Sequence, residues 1–236
     1  MTDIAANLNS VRQRIAQASD RVGRDPEGVT LLAVSKGQPA ETVRAAADLG
    51  LTLFGENRVQ EARAKIGLCP SRLRWHLIGH LQSNKCRDAD HFFEMIQSVD
   101  SLSLAREINN WAEKSAKTMP VLIEVNVAGE SIKFGYAPEN VLAELKEINA
   151  LPKIEVHGLM TVAPFSQDSG KVRPVFRRLR ELKGQCEGIL GVPLPHLSMG
   201  MSGDFEVAVE EGATIIRLGS AILGPRSAPK PPPADQ

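Results

Sequence analysis

The sequence contains only three cysteines, Cys69, Cys86 and Cys186, which are widely spaced and form no CxxC pair. A disulfide framework and a structural zinc site are therefore not expected. An excess of charge is missing as well, because Lys plus Arg and Asp plus Glu each number 28. Affinity for a nucleic-acid backbone comes mainly from clustered positive charge, so we expect no nucleic-acid partner.

Long apolar runs are also missing. No run approaches the roughly 18 apolar residues that a membrane-spanning helix needs, so no membrane partner is expected. The N-terminus, MTDIAANLNSVRQRIAQASDR, has polar residues on every turn and lacks the apolar centre of a signal peptide. These absences predict a cytoplasmic protein. Its 236 residues suffice for one domain that folds without a metal or disulfide.

The N-terminal segment has the spacing of an amphipathic helix that ends near Gly23. Its apolar residues follow one another at alternating steps of four and three, and they are Ile4, Leu8, Val11, Ile15, Ala18 and Val22. We expect this helix to pack on the main body of the protein. A dimerising coiled coil is the alternative.

From residue 29 onward, short β-rich runs alternate with longer stretches of helical period. The predicted strands are 29–35, 51–55, 74–79, 94–99, 120–127, 154–160, 195–200 and 214–219. The predicted helices are 39–49, 57–66, 81–89, 101–117, 138–150, 168–188, 203–212 and a short one from about residue 220.

Eight strands, each followed by a helix, predict a single-domain α/β protein over residues 1–226: a (β/α)8 TIM barrel with an extra N-terminal helix. A doubly wound open sheet is the main alternative. Such a sheet more often has a glycine-rich fingerprint after its first strand, and the segment VSKGQPAE is not one. Residues 227–236 form a proline-rich tail that is predicted to be disordered.

Active sites of such barrels lie at the C-terminal ends of the strands, so the polar residues there are candidates. A lysine at the end of LLAVSK can form a Schiff base with an aldehyde or ketone if its amine is neutral. An ordinary strand-end lysine is an equal alternative. The candidates are Lys36, Glu56, Asn57, His80, Ser98, Asp100, Asn126, Thr161, Ser198, Ser202, Arg217, Gly219 and Ser220.

Two turns that contain glycine and serine, SMGMSGDFEVA (198–208) and RLGSAILG (217–224), lead from strands into helices. Exposed backbone N–H groups in such turns bind phosphate, although Ser202 and Ser220 can also act as simple N-caps. Arg217 lies in an apolar strand and can pair with a carboxylate or donate a hydrogen bond to a ligand ring. A phosphate site, a Schiff-base lysine and a partner for a ring nitrogen are together what pyridoxal phosphate requires.

The histidines do not predict a metal site. His76 and His80 are four residues apart, but WHLIGH has a strand pattern and no carboxylate stands at ligand spacing. The segment NVAGESIKFGY (126–136) is expected to form a long loop over the barrel mouth. For Glu130 and Lys133 in this loop, a solvated ion pair is favoured over closure on a ligand.

Several stretches closely resemble the family of pyridoxal phosphate homeostasis proteins: LLAVSK, FGENRVQEA, WHLIGHLQSNK, LIEVNVAGESIKFG, GLMTVAPF, LSMGMSGDFEVAVEEG and TIIRLGSAILG. The resemblance runs from the N-terminal helix to about residue 225. It implies a barrel like the N-terminal domain of alanine racemase, without the C-terminal β-domain of that enzyme. One departure is Arg58, which stands where the family motif GENYVQE has an aromatic residue.

The resemblance also implies roles for individual residues. Lys36 would carry pyridoxal 5'-phosphate as an internal aldimine, and Arg217 would face the pyridine nitrogen. The remaining cofactor-binding candidates are Asn57, His80, Ser202, Gly219 and Ser220. No residue is assigned a catalytic role.

The implied function is intracellular homeostasis of pyridoxal phosphate without substantial turnover, with PLP-dependent apo-enzymes as partners. A PLP-dependent racemase or related enzyme is the main alternative, and a Schiff-base aldolase without cofactor is another. Tyr136, the single tyrosine, lies in a loop without an obvious base beside it, so a two-base racemisation lacks a visible second base. The neutral charge and the missing β-domain favour a monomer.

Overall fold

The computed structural model describes residues 2–130, 132–164, 166 and 168–225. Eight parallel strands close into a barrel in chain order, each hydrogen-bonded to the next and the last to the first. They are β1 (Thr30–Val34), β2 (Leu53–Glu56), β3 (Arg74–Leu77), β4 (Met95–Val99), β5 (Met119–Glu124), β6 (Ile154–Met160), β7 (His196–Ser198) and β8 (Ile215–Leu218). The predicted TIM barrel is confirmed, and the open-sheet alternative is excluded.

Helices follow the strands around the outside of the barrel. They are α1 (Ile4–Asp20), α2 (Ala40–Asp48), α3 (Val59–Ile66), α4 (Cys86–Phe92), α5 (Leu102–Lys114), α6 (Pro138–Asn149), α7 (Ser169–Leu190), α8 (Phe205–Glu210) and α9 (Ser220–Leu223). Short 3-10 helices cover Pro26–Gly28 and Ser83–Lys85. In the described residues, no helix combines the length and the apolar character that crossing a membrane would take. The tail predicted at 227–236 lies outside the described residues.

Seven of the eight strands are shorter than predicted, β5 and β7 among them. The apolar run at 120–127 continues past the end of β5, but Val125 pairs with Tyr136 and the Asn126 N–H donates to the Tyr136 carbonyl at 2.9 Å. The Val125 N–H still donates to the Met160 carbonyl of β6 at 2.8 Å, and beyond it the chain pairs with its own returning loop. The prediction 195–200 is shortened to β7, and Gly200 beyond it adopts a positive φ of 94° that breaks the strand.

Helix α1 packs on the barrel, as predicted, and its apolar face is buried. The Asp3 carboxylate caps the helix by accepting from the Ala6 N–H at 2.9 Å. The Asn7 amide donates to the Ile222 carbonyl of α9 at 3.0 Å, and Arg14 pairs with Glu206 of α8 at 2.8 Å. These contacts cover the stripe that a dimerising coiled coil would need.

Apolar side chains form two separate clusters, because successive residues of a barrel strand point to opposite sides. In β1, Leu31 and Ala33 join the large cluster between strands and helices, whereas Leu32 and Val34 join a smaller one. The smaller cluster, with partners such as Met95 of β4, fills the barrel interior. The barrel interior is therefore packed, and the C-termini of the strands form the mouth of the barrel.

Candidate functional site

A cavity of about 430 Å³ opens at the C-terminal ends of the strands. This volume lies in the range of roughly 300–1,000 Å³ that is typical of small-molecule sites. The structure brings six of the predicted site residues together in the lining: Lys36, Asn57, Ser202, Arg217, Gly219 and Ser220. Asp204 also lines the cavity, although the sequence analysis did not single it out.

Lys36 lies half-buried in the turn after β1, and a buried network supports this turn from below. Glu56, at the end of β2, is fully buried and accepts a hydrogen bond from the Ser35 hydroxyl at 2.7 Å. Lys65 of α3 pairs with Glu56 and donates to the Ser35 carbonyl at 2.6 Å. Burial raises the pKa of Glu56, while Lys65 opposes that shift. The hydroxyl and the carbonyl of Ser35 are thus both engaged, and these two hydrogen bonds fix the turn that presents Lys36.

Asn57 follows β2 and is half-buried. Its backbone packs directly on Gly79, where an added Cβ would lie 2.4 Å from the Asn57 carbonyl oxygen and 2.9 Å from its Cα. Only glycine permits this approach. Gly79 therefore sets the position of Asn57 at the cavity wall.

The turns after β7 and β8 meet on one side of the cavity. The Ser202 hydroxyl accepts from the Ala221 N–H at 3.3 Å and lies 3.4 Å from the Ser220 hydroxyl. Ser202 thus contacts the start of α9, whereas the residues at the N-cap positions are Asp204 for α8 and Gly219 for α9. The reading of the two serines as N-caps of their own helices is wrong.

The same two turns present free donors. In the described part of the chain, the backbone N–H groups of Ser202, Gly203 and Ser220 take part in no hydrogen bond. With the two serine hydroxyls they form a cradle of uncharged donors. Such a cradle fits a phosphate group, whose oxygens accept hydrogen bonds.

Arg217 of β8 is buried and reaches the cavity from the barrel interior. Its guanidinium donates to the Ser198 hydroxyl at 2.7 Å and to the Thr161 carbonyl at 2.8 Å. Its hydrogen bonds among the described residues thus go to neutral groups, and the carboxylate pair considered from the sequence is not formed. Burial lowers the pKa of Arg217 to about 10, with Glu124 and Asp204 opposing the shift. The group stays charged at neutral pH.

His80 lies at the barrel mouth but outside the lining of this cavity. Its Nδ1 is 3.0 Å from Asp100 Oδ2, and its ring stacks on Phe134 with 3.7 Å between centroids. It lines a neighbouring cavity of about 480 Å³ together with Arg58 and Lys85. The exposed Arg58 therefore belongs to this second cavity. Among the described residues, no group of three or more potential metal ligands is present.

The loop after β5 is held in place by an ion pair within the loop and by a hydrogen bond to the segment after β6. Lys133 pairs with Glu130, as predicted, and also donates to the Ala163 carbonyl at 3.1 Å. The expectation that Tyr136 has no base beside it is wrong, because its hydroxyl donates to Glu144 Oε2 at 2.7 Å. Burial and this carboxylate raise the pKa of Tyr136, so the phenol stays protonated and is not present as a phenolate base at neutral pH. Tyr136 does not line the cavity.

Glu124, at the end of β5, is a buried carboxyl group that does not line the cavity but interacts electrostatically with Arg217, which does. Burial and the nearby Asp100 carboxylate raise its pKa to about 7, and Arg217 opposes the rise. The sequence analysis missed this residue because its signal is burial, which depends on the closed barrel. Glu124 is a titrating group in the physiological range.

Comparisons with known proteins agree on one family. The family model described as alanine racemase, N-terminal domain, matches residues 6–227. The pyridoxal phosphate homeostasis protein of Aquifex aeolicus is 46% identical over 220 residues, which cover 93% of this chain and 96% of that protein. The solved structure of PipY from Synechococcus elongatus PCC7942 with PLP bound has a TM-score of 0.83 at 36% identity, covering 94% of this chain and 100% of PipY.

A more distant likeness concerns the fold alone. An alanine racemase structure from Clostridium difficile has a TM-score of 0.76 at 16% sequence identity. The match covers 93% of this chain and 58% of the racemase chain. The barrel is thus shared with the racemase, and nothing about its activity follows.

The raised pKa of Glu124 predicts a pH-dependent stability. The folded protein keeps a proton on Glu124 up to about pH 7, whereas the unfolded chain releases it near the ordinary glutamate pKa of 4.5. Stability contributed by this group therefore falls as pH rises through that window. Glu124→Gln should leave the free energy of unfolding in urea close to wild type at about pH 5 and exceed it by about 2–3 kcal/mol at about pH 8.

The exposed Glu139 provides the control. Glu139→Gln should show the wild-type dependence of the free energy of unfolding on pH. An equal effect of Glu124→Gln at both pH values would contradict the raised pKa.

Proposed function

The chain belongs to the family of pyridoxal phosphate homeostasis proteins, and from this premise we propose that it holds pyridoxal 5'-phosphate in the mouth of its barrel. The observation that carries the proposal is that Lys36, the donor cradle and Arg217 converge on one cavity. These three parts match the aldehyde, the phosphate and the ring nitrogen of the cofactor. When bound, the cofactor supplies an electrophilic aldehyde and an electron-withdrawing ring.

Each part of the cavity has a distinct role in this proposal. Lys36 offers the amine that bonds covalently to the aldehyde, and the network of Ser35, Glu56 and Lys65 orients the turn that carries it. Asn57 forms part of the wall beside Lys36. Because Gly79 fixes the backbone of Asn57, this wall is set before a ligand enters.

The donor cradle binds the phosphate. The hydroxyls of Ser202 and Ser220 and the free N–H groups beside them all belong to the turns after β7 and β8. Gly219 lies close to the backbone of β1, since a Cβ there would approach the Val34 carbonyl oxygen to 3.3 Å. Hydrogen bonds to a charged phosphate are each worth about 1.5–3 kcal/mol, so the cradle supplies a large share of the affinity.

Arg217 donates to the ring nitrogen. A guanidinium carries no proton that it readily gives up, so the nitrogen opposite it stays neutral and the ring withdraws less charge than beside a carboxylate. Tyr136 is engaged by Glu144 and lies away from the cavity. The neutral ring nitrogen opposite Arg217 and the position of Tyr136 both support a binding protein without substantial turnover. His80 is left out of the proposed binding set because it lines the neighbouring cavity.

The proposal extends to the location, the oligomeric state and the partners of the protein. We place the protein in the cytoplasm as a monomer, with PLP-dependent apo-enzymes as the recipients of the cofactor. The monomer is supported by α1, whose apolar stripe is covered by its own barrel.

A borohydride trapping experiment tests the binding mode. Wild-type protein incubated with pyridoxal 5'-phosphate and reduced should gain the mass of one pyridoxyl phosphate group, located on Lys36 by peptide mapping. Lys36→Ala should lose this increment, because its turn then presents no amine to the cavity. Lys85→Ala, which removes a lysine from the neighbouring cavity, should keep it in full. An increment on another lysine in the wild type would refute the assignment.

The absence of turnover is tested by hydrogen exchange. With L-alanine in D2O, wild-type protein loaded with cofactor should wash deuterium into the α-position at no more than the rate of free pyridoxal phosphate at the same concentration. The physical reason is that the ring opposite Arg217 withdraws little charge and that Tyr136 does not line the cavity. Exchange much faster than free cofactor would instead establish the racemase-like alternative.

A further inference from the structure

A chain of buried hydrogen bonds runs through the barrel interior, from Arg217 at the cavity to Glu94 at the opposite end of the barrel. It passes through Ser198 of β7, Gln97 of β4 and His76 of β3, all of which are buried. Glu94 immediately precedes β4, so it lies at the end away from the mouth. The three buried links do not line the cavity.

Each link of the chain has a direction. Arg217 Nη1 donates to Ser198 Oγ at 2.7 Å, and the Ser198 hydroxyl donates to Gln97 Oε1 at 2.7 Å. With its oxygen engaged, the Gln97 amide donates through Nε2 to His76 Nδ1 at 2.8 Å. His76 Nδ1 is then an acceptor, so the neutral ring carries its proton on Nε2. This Nε2 donates to Glu94 Oε1 at 3.1 Å.

The opposite orientation of the Gln97 amide fits only a charged His76. It would turn Oε1 toward His76 Nδ1, which would then need a proton while Nε2 still donates to Glu94. Ser198 would accept from both Gln97 and Arg217, and its own hydroxyl proton would lose the acceptor it now has. The protonation state of His76 therefore decides, through one amide, whether the Ser198 hydroxyl that accepts from Arg217 has an acceptor of its own.

Charged and titratable groups surround His76 at the far end. Glu94 favours its protonation, while Arg74, which donates to Glu94 at 2.8 Å, disfavours it. His196 of β7 interacts electrostatically with His76 and with His157 of β6. Burial is the largest effect and lowers the pKa of His76, so the ring is neutral and the chain is intact at neutral pH.

Two hydrogen bonds fix the guanidinium of Arg217 at the near end. One N–H goes to Ser198 and one to the Thr161 carbonyl. A guanidinium has five N–H donors in one plane, so the remaining donors keep a set direction in the cavity wall. Losing the hydrogen bond to Ser198 would free Nη1, one of the two guanidinium nitrogens that are now held.

We propose that Ser198, Gln97 and His76 are positioning residues that hold Arg217 toward the ring of the ligand while His76 is neutral. The inference rests on the proposed function, because it assigns the ring of pyridoxal phosphate as the group that Arg217 meets. The residues act through Arg217 and do not touch the ligand.

The first test compares dissociation constants for pyridoxal 5'-phosphate at two pH values. Gln97→Met removes both amide groups at similar volume, and Ser198→Ala breaks the chain one link earlier. For each, we expect a dissociation constant about tenfold above wild type at about pH 8, as for one lost charge-assisted hydrogen bond. The ratio to wild type should fall toward one at a second, lower pH at which nitrogen-15 NMR of the wild type shows His76 protonated on both ring nitrogens, because the Ser198 hydroxyl then loses its acceptor in the wild type as well. The exposed Gln82 provides the control: Gln82→Met should give a ratio of one at both values.

Taking ratios cancels the titration of the ligand phosphate. A ratio that stays the same at both pH values would indicate a merely structural role and overturn the proposal, as would a ratio of one at pH 8.

The second test needs no cofactor. Nitrogen-15 NMR of the wild-type apo-protein at neutral pH should show His76 protonated on Nε2 alone. A proton on Nδ1 would overturn the positioning chain independently of any ligand. Failure of the wild type to bind pyridoxal 5'-phosphate would instead overturn the proposed function, so the two failures are distinguishable.

Discussion

Eight parallel strands that close into a barrel bring all of their C-terminal ends to one mouth. This closure places Lys36 of the first turn beside Ser220 of the last, although 184 positions separate them in sequence. It also forces the inward side chains into a buried core, where polar groups need hydrogen-bond partners. The cavity at the mouth and the hydrogen-bond chain below it both follow from this one constraint.

Those parts of the fold and site that depend on local pattern could be predicted from the sequence. The apolar run before Lys36 and the glycine-serine turns around Ser202 and Ser220 signal strand ends and donor-rich loops directly. The family resemblance added the pairing of Lys36 with Arg217 in one site. His80 illustrates the limit, because a strand end predicts the barrel mouth but not which of two adjacent cavities a side chain enters.

Features that depend on burial could not be predicted. Glu124 titrates near neutrality because the closed barrel removes it from water and places it by Asp100. Gln97 and Ser98 are the two polar residues of the otherwise apolar strand MIQSV, and Gln97 was a usable signal, yet its partners come from strands distant in sequence. The support of the Lys36 turn by Lys65 likewise depends on how α3 packs against β2.

The central claim is that one cavity holds pyridoxal 5'-phosphate through three parts of the chain. A crystal structure of the protein grown with the cofactor tests this most directly. We expect electron density continuous with Lys36 Nζ, the phosphate between the turns that carry Ser202 and Ser220, and the ring nitrogen facing Arg217. Ordered cofactor in the neighbouring cavity of Arg58 and Lys85, with the Lys36 side chain unmodified, would contradict it.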